Sequence, residues 1–274
     1  MRQRFRLCPA ERDRQPLSPL LPWICLLLAT ATAAGCATLA RRVAAPVEAE
    51  TGAADLLRQL TEHNKGLTTF KGIGRMKWNY QGSSQHARIA WLGETPKKLR
   101  LEILDLTGRP ALSVACDGDR LYFFSHPDKR FETTSADDAD ADLEALISIA
   151  IPIRDIIQLL TGRAPLPENP MDAAITPDST DDPALILDSG WFNGHRRLYL
   201  RPDRLSLAAC DVFTPLGALA YRVDFEGCLT VREFSVPRRI TISGGNGAVF
   251  TLHMERYWAN ISVPPDAFTL DPPE

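Results

Sequence analysis

Thr69-Phe70-Lys71-Gly72-Ile73-Gly74-Arg75-Met76-Lys77-Trp78-Asn79-Tyr80 alternates with a period of two. Phe70, Gly74, Met76, Trp78 and Tyr80 fall on one face, and Lys71, Arg75, Lys77 and Asn79 on the other. A strand with one side against a core and one side in water gives that pattern. Downstream the period recurs in Ala87, Ile89 and Trp91, then Leu99, Leu101 and Ile103, then Leu112, Val114 and Cys116. Leu121-Tyr122-Phe123-Phe124 is apolar on both faces, which predicts cover on each side. Gln81-Gly82 and Asp117-Gly118 fall between runs, where hairpins need residues that tolerate positive φ.

The period then changes. Residues Asp137 to Gly162 have helical spacing, with one stripe of Leu143, Leu146, Ile147 and Ala150. A second stripe of Ile153, Ile156, Ile157 and Leu160 follows Pro152, a residue suited to a helix start. Ala164 to Pro183 contains five prolines and reads as a loop. Strands resume at Leu185. Asn193-Gly194 turns into Leu198-Tyr199-Leu200, followed by Leu205, Leu207 and Ala209, then Tyr221, Val223 and Phe225, then Ile240 and Ile242. Asn246-Gly247 turns into Phe250, Leu252 and Met254. Upstream, Leu56, Leu57 and Leu60 predict a helix over Asp55–Gly66. The expected fold is mainly β with helices. It is one unclosed antiparallel barrel of about 11 strands, with a helical lid inserted mid-chain, since consecutive hairpins favour a meander.

The N-terminus has a different character. Arg2, Arg4, Arg6, Arg12 and Arg14 precede a mostly apolar stretch, Pro16 to Ala34, which ends in Ala33-Ala34-Gly35-Cys36. Basic head, short apolar middle and small-residue exit make a secretory signal. A cysteine directly after the small residues resembles a bacterial lipobox, which implies cleavage before Cys36 and lipidation of that residue. An ordinary signal cut near Ala34 and a single membrane-spanning helix are the alternatives. Against the second, Pro16, Pro19 and Pro22 interrupt an apolar core shorter than the roughly 20 residues a span requires. Ala37 after the cysteine favours the outer membrane. The expected domains are a signal at 1–35, a lipidated tether at 36–52 and a half-barrel at 53–274.

Five of the 31 Lys+Arg and two of the 34 Asp+Glu lie in residues 1–35. The remainder carries 26 against 32, a net charge near −6. That balance gives no support for nucleic-acid binding, which wants a basic stripe. Cys116, Cys210 and Cys228 remain outside the N-terminal region. A Cys210–Cys228 bridge and free thiols on strands are both open readings, and the wide spacing matches no metal site. Catalytic signals are poor. There is no G-x-S-x-G elbow. Gly72-Ile73-Gly74 lies inside a strand pattern, so it reads as relief of strand curvature and not as a dinucleotide loop. The five histidines are scattered, and the acidic run Asp137–Glu144 lacks the glycine and terminal glutamate of a calcium loop. No metal, no cofactor and no enzyme activity are expected.

The segments Phe70–Met76, Leu99–Gly108 and Ile151–Gly162, with the lipobox and the helix at Asp55–Asn64, are similar to the LolA/LolB lipoprotein-carrier family, particularly its membrane-anchored member. The resemblance implies an apolar cavity under the lid that takes acyl chains of lipoproteins, or phospholipid, received from a periplasmic carrier and delivered to the outer membrane. The residues expected to line cavity and lid are Leu143, Leu146, Ile147, Ile153, Ile156, Ile157, Leu160, Trp78, Trp91, Leu101, Ile103 and Phe123. In the anchored member a leucine directly before a glycine protrudes after the third strand and assists insertion. Here Thr107 precedes Gly108 and Leu106 stands one residue earlier, so Leu106 is the expected insertion residue. The chain is expected to act as a monomer, held at the outer membrane by its lipid and facing the periplasm. The competing reading is a non-catalytic scaffold lipoprotein that binds an envelope protein, for which a filled interior would argue.

Overall fold

Hairpin follows hairpin along this chain, and the outcome is a single antiparallel sheet. The computed structural model describes residues 46–136, 143–167, 172–177, 183–188, 195–201 and 206–272. Cys36 and the expected signal lie outside them, as do residues 137–142 of the acidic run, Asn193-Gly194 and Leu205. Helix α1 (Pro46–Glu62) leads into β1 (Thr69–Tyr80), β2 (Ser83–Glu94), β3 (Lys98–Leu104), β4 (Pro110–Cys116), β5 (Arg120–Ser125) and β6 (Arg130–Ser135). Two short helices follow, α2 (Glu144–Ile147) and α3 (Ile153–Leu160). The second run of strands is β7 (Asp172–Pro177), β8 (Pro183–Asp188), β9 (His195–Leu200), β10 (Leu207–Phe213), β11 (Leu219–Val231), β12 (Phe234–Gly244) and β13 (Val249–Ala259).

The sheet order is β6-β5-β4-β3-β2-β1-β13-β12-β11-β10-β9-β8-β7. The first and last strands in sequence, β1 and β13, pair at the centre, with Phe70 opposite Ala259 and Trp78 opposite Phe250. Among the described residues no pairing joins edge strands β6 and β7, so the barrel stays open. The expected unclosed antiparallel sheet with a lid inserted mid-chain is therefore observed, with thirteen strands. The two beyond the expected set are β6 and β7. β6 reads Arg-Phe-Glu-Thr-Thr-Ser and is mostly exposed, so it carries no apolar alternation. β7 falls in the stretch expected to be a loop because of its prolines. Pro177 and Pro183 form the last pair of the β7–β8 ladder, where a missing N–H costs least.

In β1 the buried residues Phe70, Gly72, Gly74 and Met76 mark the inner face. A Cβ on Gly72 would come within 2.2 Å of the Trp91 ring, and one on Gly74 within 2.2 Å of the His253 carbonyl oxygen. The register against β13 shifts between Ile73 and Gly74. These glycines thus admit a bulge and a tryptophan laid flat on the sheet, and the bulge bends the wall.

Helix α1 starts at Pro46, nine residues before the expected Asp55, and takes in the end of the expected tether. It ends at Glu62, before the expected stop at Gly66. Asn64 takes the left-handed conformation instead, at φ 54°. Its amide donates to Thr161 O and Ser235 O, and those long-range bonds hold it there. Cys116, Cys210 and Cys228 are free thiols, so the bridge reading falls. Cys116 and Cys210 are buried and Cys228 is exposed.

Strict antiparallel order fixes which turns share an end of the sheet. Turns 81–82, 105–109, 126–129, 214–218 and 245–247 lie on one rim, here the upper one. Turns 95–97, 117–119 and 232–233 lie on the lower rim.

Candidate functional site

The insert between β6 and β7 lies across the inner face from upper rim to lower rim. Pro152 caps α3 at φ −61° and ψ 143°, where its missing N–H leaves no helical bond unmade. Arg154 and Gln158, four residues apart, share the one partly exposed side of α3. Ile153, Ile156, Ile157, Leu159 and Leu160 are all buried.

The two ends of the insert are held differently. At the upper rim, Trp78 Nε1 donates to Ile147 O at 2.8 Å and Asn246 Nδ2 donates to Ser148 O at 2.7 Å. Those two bonds fix a one-turn helix whose C-cap, Ser148, is left-handed. At the lower rim, the Arg163 guanidinium donates to the carbonyls of Asn64, Lys65 and Leu67. Between them lies a buried polar cluster. The Asp155 carboxylate, 0% exposed, accepts from Tyr221 OH at 2.5 Å and from Arg196 at 3.2 Å. Burial, and then the Asp155 charge, push the Tyr221 phenol far above its ordinary value, so it stays a donor. This cluster ties α3 to β9 and β11. Sequence reasoning placed Tyr221 only as an apolar strand residue and passed over Asp155 and Arg196, because a charged residue beside apolar ones looks solvent-facing until its partners on distant strands are known.

Under the insert lies an apolar seam. Leu143, Leu146, Ile147, Ile156 and Leu160 meet Met76, Ile89, Trp91, Leu101, Ile103, Leu112, Val114, Ile242, Phe250 and Leu252 across it. Eight of the expected residues converge there: five from the insert with Trp91, Leu101 and Ile103. Four do not line it. Ile153 and Ile157 are buried but are not among the side chains that line the seam. Trp78 is half-buried at the upper rim, and Phe123 is half-buried one strand further out, opposite Val114. Met76, Ile89, Leu112, Val114, Ile242, Phe250 and Leu252 complete the lining; period-two alternation had already marked all seven as inward-facing.

The free space in the seam is about 50 Å³. The expected hollow is thus nearly filled in this conformation, because the insert's own isoleucines and leucines occupy the space that a wide sheet leaves. Sites for drug-sized ligands run to roughly 300–1,000 Å³. An open cleft of about 410 Å³ lies at the lower rim beside Leu60, His63, Arg201, Phe225, Cys228 and Val236. Among the described residues no group of three or more His, Cys, Asp or Glu side chains could hold a metal ion. Leu106 is fully exposed at the tip of the β3–β4 turn.

Several solved structures share this fold. The LolA superfamily protein NE2245 from Nitrosomonas europaea superposes with a TM-score of 0.54 at 14% identity, over 80% of this chain and 97% of that one. A DUF1329 family protein from Desulfovibrio piger gives 0.57 at 10% identity, over 81% and 97%. A putative outer membrane lipoprotein-sorting protein domain from Vibrio parahaemolyticus gives 0.54 at 9% identity, over 80% and 97%. At such identities the likeness is one of fold. No family model matches the sequence, and no curated protein does.

Proposed function

We propose that this chain is a membrane-anchored acceptor of acyl chains, held by a lipid on Cys36 at the outer membrane, that takes lipoproteins or lipids beneath its helical insert. The observation that carries this reading is the seam: fifteen apolar side chains face one another across it, with no charged group among them. A hydrocarbon chain there would leave water, at about 0.8 kcal/mol per CH₂. The solved fold named for lipoprotein sorting adds support at the level of architecture. The 50 Å³ of the closed form holds no chain. On this reading, loading swings the 143–149 segment off the sheet, which breaks the bonds from Trp78 to Ile147 and from Asn246 to Ser148 and leaves the Asp155 cluster intact.

The filled seam favours a second reading, a non-catalytic scaffold for an envelope protein. One experiment separates the two. The chain lacking residues 1–36 is mixed with a diacylated peptide and weighed by native mass spectrometry. Stoichiometric uptake, lost when Leu146 and Ile156 are both replaced by Asn, supports the acceptor. No uptake supports the scaffold.

A further inference from the structure

Among the described residues four large hydrophobic side chains are exposed: Leu106, Leu216, Leu219 and Trp258. The first three lie on the upper rim, where the 143–149 end of the insert also lies. Leu106 and Leu216 are fully exposed, on opposite walls of the half-barrel. Their hairpins are separated by six strand spacings along the sheet, roughly 29 Å of arc at about 4.8 Å each.

The two turns share one construction, although one reads Asp-Leu-Thr-Gly-Arg and the other Thr-Pro-Leu-Gly-Ala. In each, the first residue's N–H donates to the carbonyl of the fifth: Asp105 N to Arg109 O at 2.8 Å, and Thr214 N to Ala218 O at 2.8 Å. In each, the fourth residue's N–H returns to the first carbonyl: Gly108 to Asp105 O at 3.0 Å, and Gly217 to Thr214 O at 2.9 Å. In each, the first side chain caps the fifth N–H: Asp105 Oδ1 to Arg109 N at 3.0 Å, and Thr214 Oγ1 to Ala218 N at 3.2 Å. Each fourth residue is a glycine with positive φ, 85° and 82°. Each hairpin carries a register shift beside its turn, at Ile103/Leu104 and at Val212/Phe213. The turns are therefore internally satisfied and stiff, and each holds one leucine clear of the body. Thr107 is spent on capping Asp105, which is why the leucine precedes it instead of adjoining Gly108.

We infer that the upper rim docks on a bilayer at two points, Leu106 on one wall and Leu216 on the other, so that the 143–149 end of the insert faces the lipid. The inference rests on the acceptor reading for the use of the contact, but not for its existence. A lipid surface is the fitting occupant for two reasons. Two single leucines a mouth apart form no continuous patch for a protein, whereas a fluid hydrocarbon layer accepts isolated side chains. The sequence ahead of the fold also holds the lipobox-like Ala33-Ala34-Gly35-Cys36, whose cysteine stands only ten residues before α1.

The test uses the full chain with vesicles of phosphatidylethanolamine and phosphatidylglycerol carrying brominated acyl chains. Leu106→Trp, Leu216→Trp and, on the lower rim, the exposed Glu233→Trp each add one emitter to the chain's five tryptophans. The expected result is extra quenching, relative to the unmodified chain, for the two upper positions and none at 233, unchanged at high salt. Quenching at 106 alone, at neither tip, or equally at 233 overturns the two-point contact. So does crosslinking of position 216 to a protein or to a second copy without lipid quenching. Acyl uptake is measured on the same samples. Uptake with dark-shielded, unquenched tips removes this inference and leaves the acceptor reading, while quenched tips without uptake do the reverse.

Discussion

Replacing Asp155 with Ala should cost this protein about 4 kcal/mol. Asp155 is completely buried, and Arg196, 5% exposed, has no other carboxylate partner within the cluster. Its Nε and NH1 make no hydrogen bond. Removing one member of a buried ion pair costs about 3–5 kcal/mol, because a charge is left without compensation. The Tyr221 hydroxyl loses its acceptor as well, for about 1–3 kcal/mol. The two losses share one acceptor and do not add fully. Native domains carry roughly 5–15 kcal/mol in all, so the variant should remain folded but weakened. Urea titration followed by far-ultraviolet circular dichroism gives the measurement. With a slope of about 2 kcal/mol per molar, the midpoint should fall by about 2 M. The combined variant Asp155→Leu, Arg196→Met, Tyr221→Phe should recover most of the loss, since apolar residues of similar size replace such clusters at little cost. A loss below about 1 kcal/mol for Asp155→Ala would show that Arg196 reaches water and that α3 is not held by this cluster.

Three further outcomes are expected. Gly74→Ala places a methyl 2.2 Å from the His253 carbonyl oxygen and should destabilise by about 1–3 kcal/mol, read from the same titration; an unchanged midpoint would mean that the bulge relaxes freely. Burial lowers the pKa of His63, so the folded chain resists the proton that the unfolded chain accepts. Stability should accordingly be level above pH about 6.5 and fall as pH drops below it, an effect absent from His63→Gln when melting temperatures are compared. Trp78→Phe with Asn246→Ala removes both bonds to the upper end of the insert, about 1 kcal/mol each. Amides of residues 143–149 should then exchange faster while those of α3 keep their protection, and equal acceleration of both would show that the insert opens as one piece.

The stripes of the insert were legible because helix packing is a local, periodic demand. Spacing alone grouped Leu143, Leu146 and Ile147 on one stripe and Ile156 and Leu160 on another, and the fold brings both to one seam. Ile153 and Ile157 belong to the same stripe in sequence as Ile156 and Leu160 and are buried, yet they do not line the seam, because a helix buried nearly all round has no single inner face. Asn64 was invisible as a helix terminator, since its left-handed turn is held by Thr161 and Ser235, about 97 and 171 residues away. β6 and β7 escaped notice because edge strands need pair on one side only and carry little apolar signal. Leu216 was equally silent: a leucine in a turn acquires meaning only when another turn with the same hydrogen bonds stands on the same rim.

The amino-acid order alone settled the strand periods, the hairpin turns, the helical break between two runs of strands and the basic, apolar, cysteine-ended N-terminus. Those follow from interactions within a few residues, where alternation, turn chemistry and capping act. Tertiary structure decided that the sheet stays open, that β1 and β13 meet at its centre, that the lid fills the space beneath it and that Asp155 finds Arg196 and Tyr221. These depend on pairings between residues far apart in the chain, where many registers satisfy the same local pattern and only the packed whole selects one.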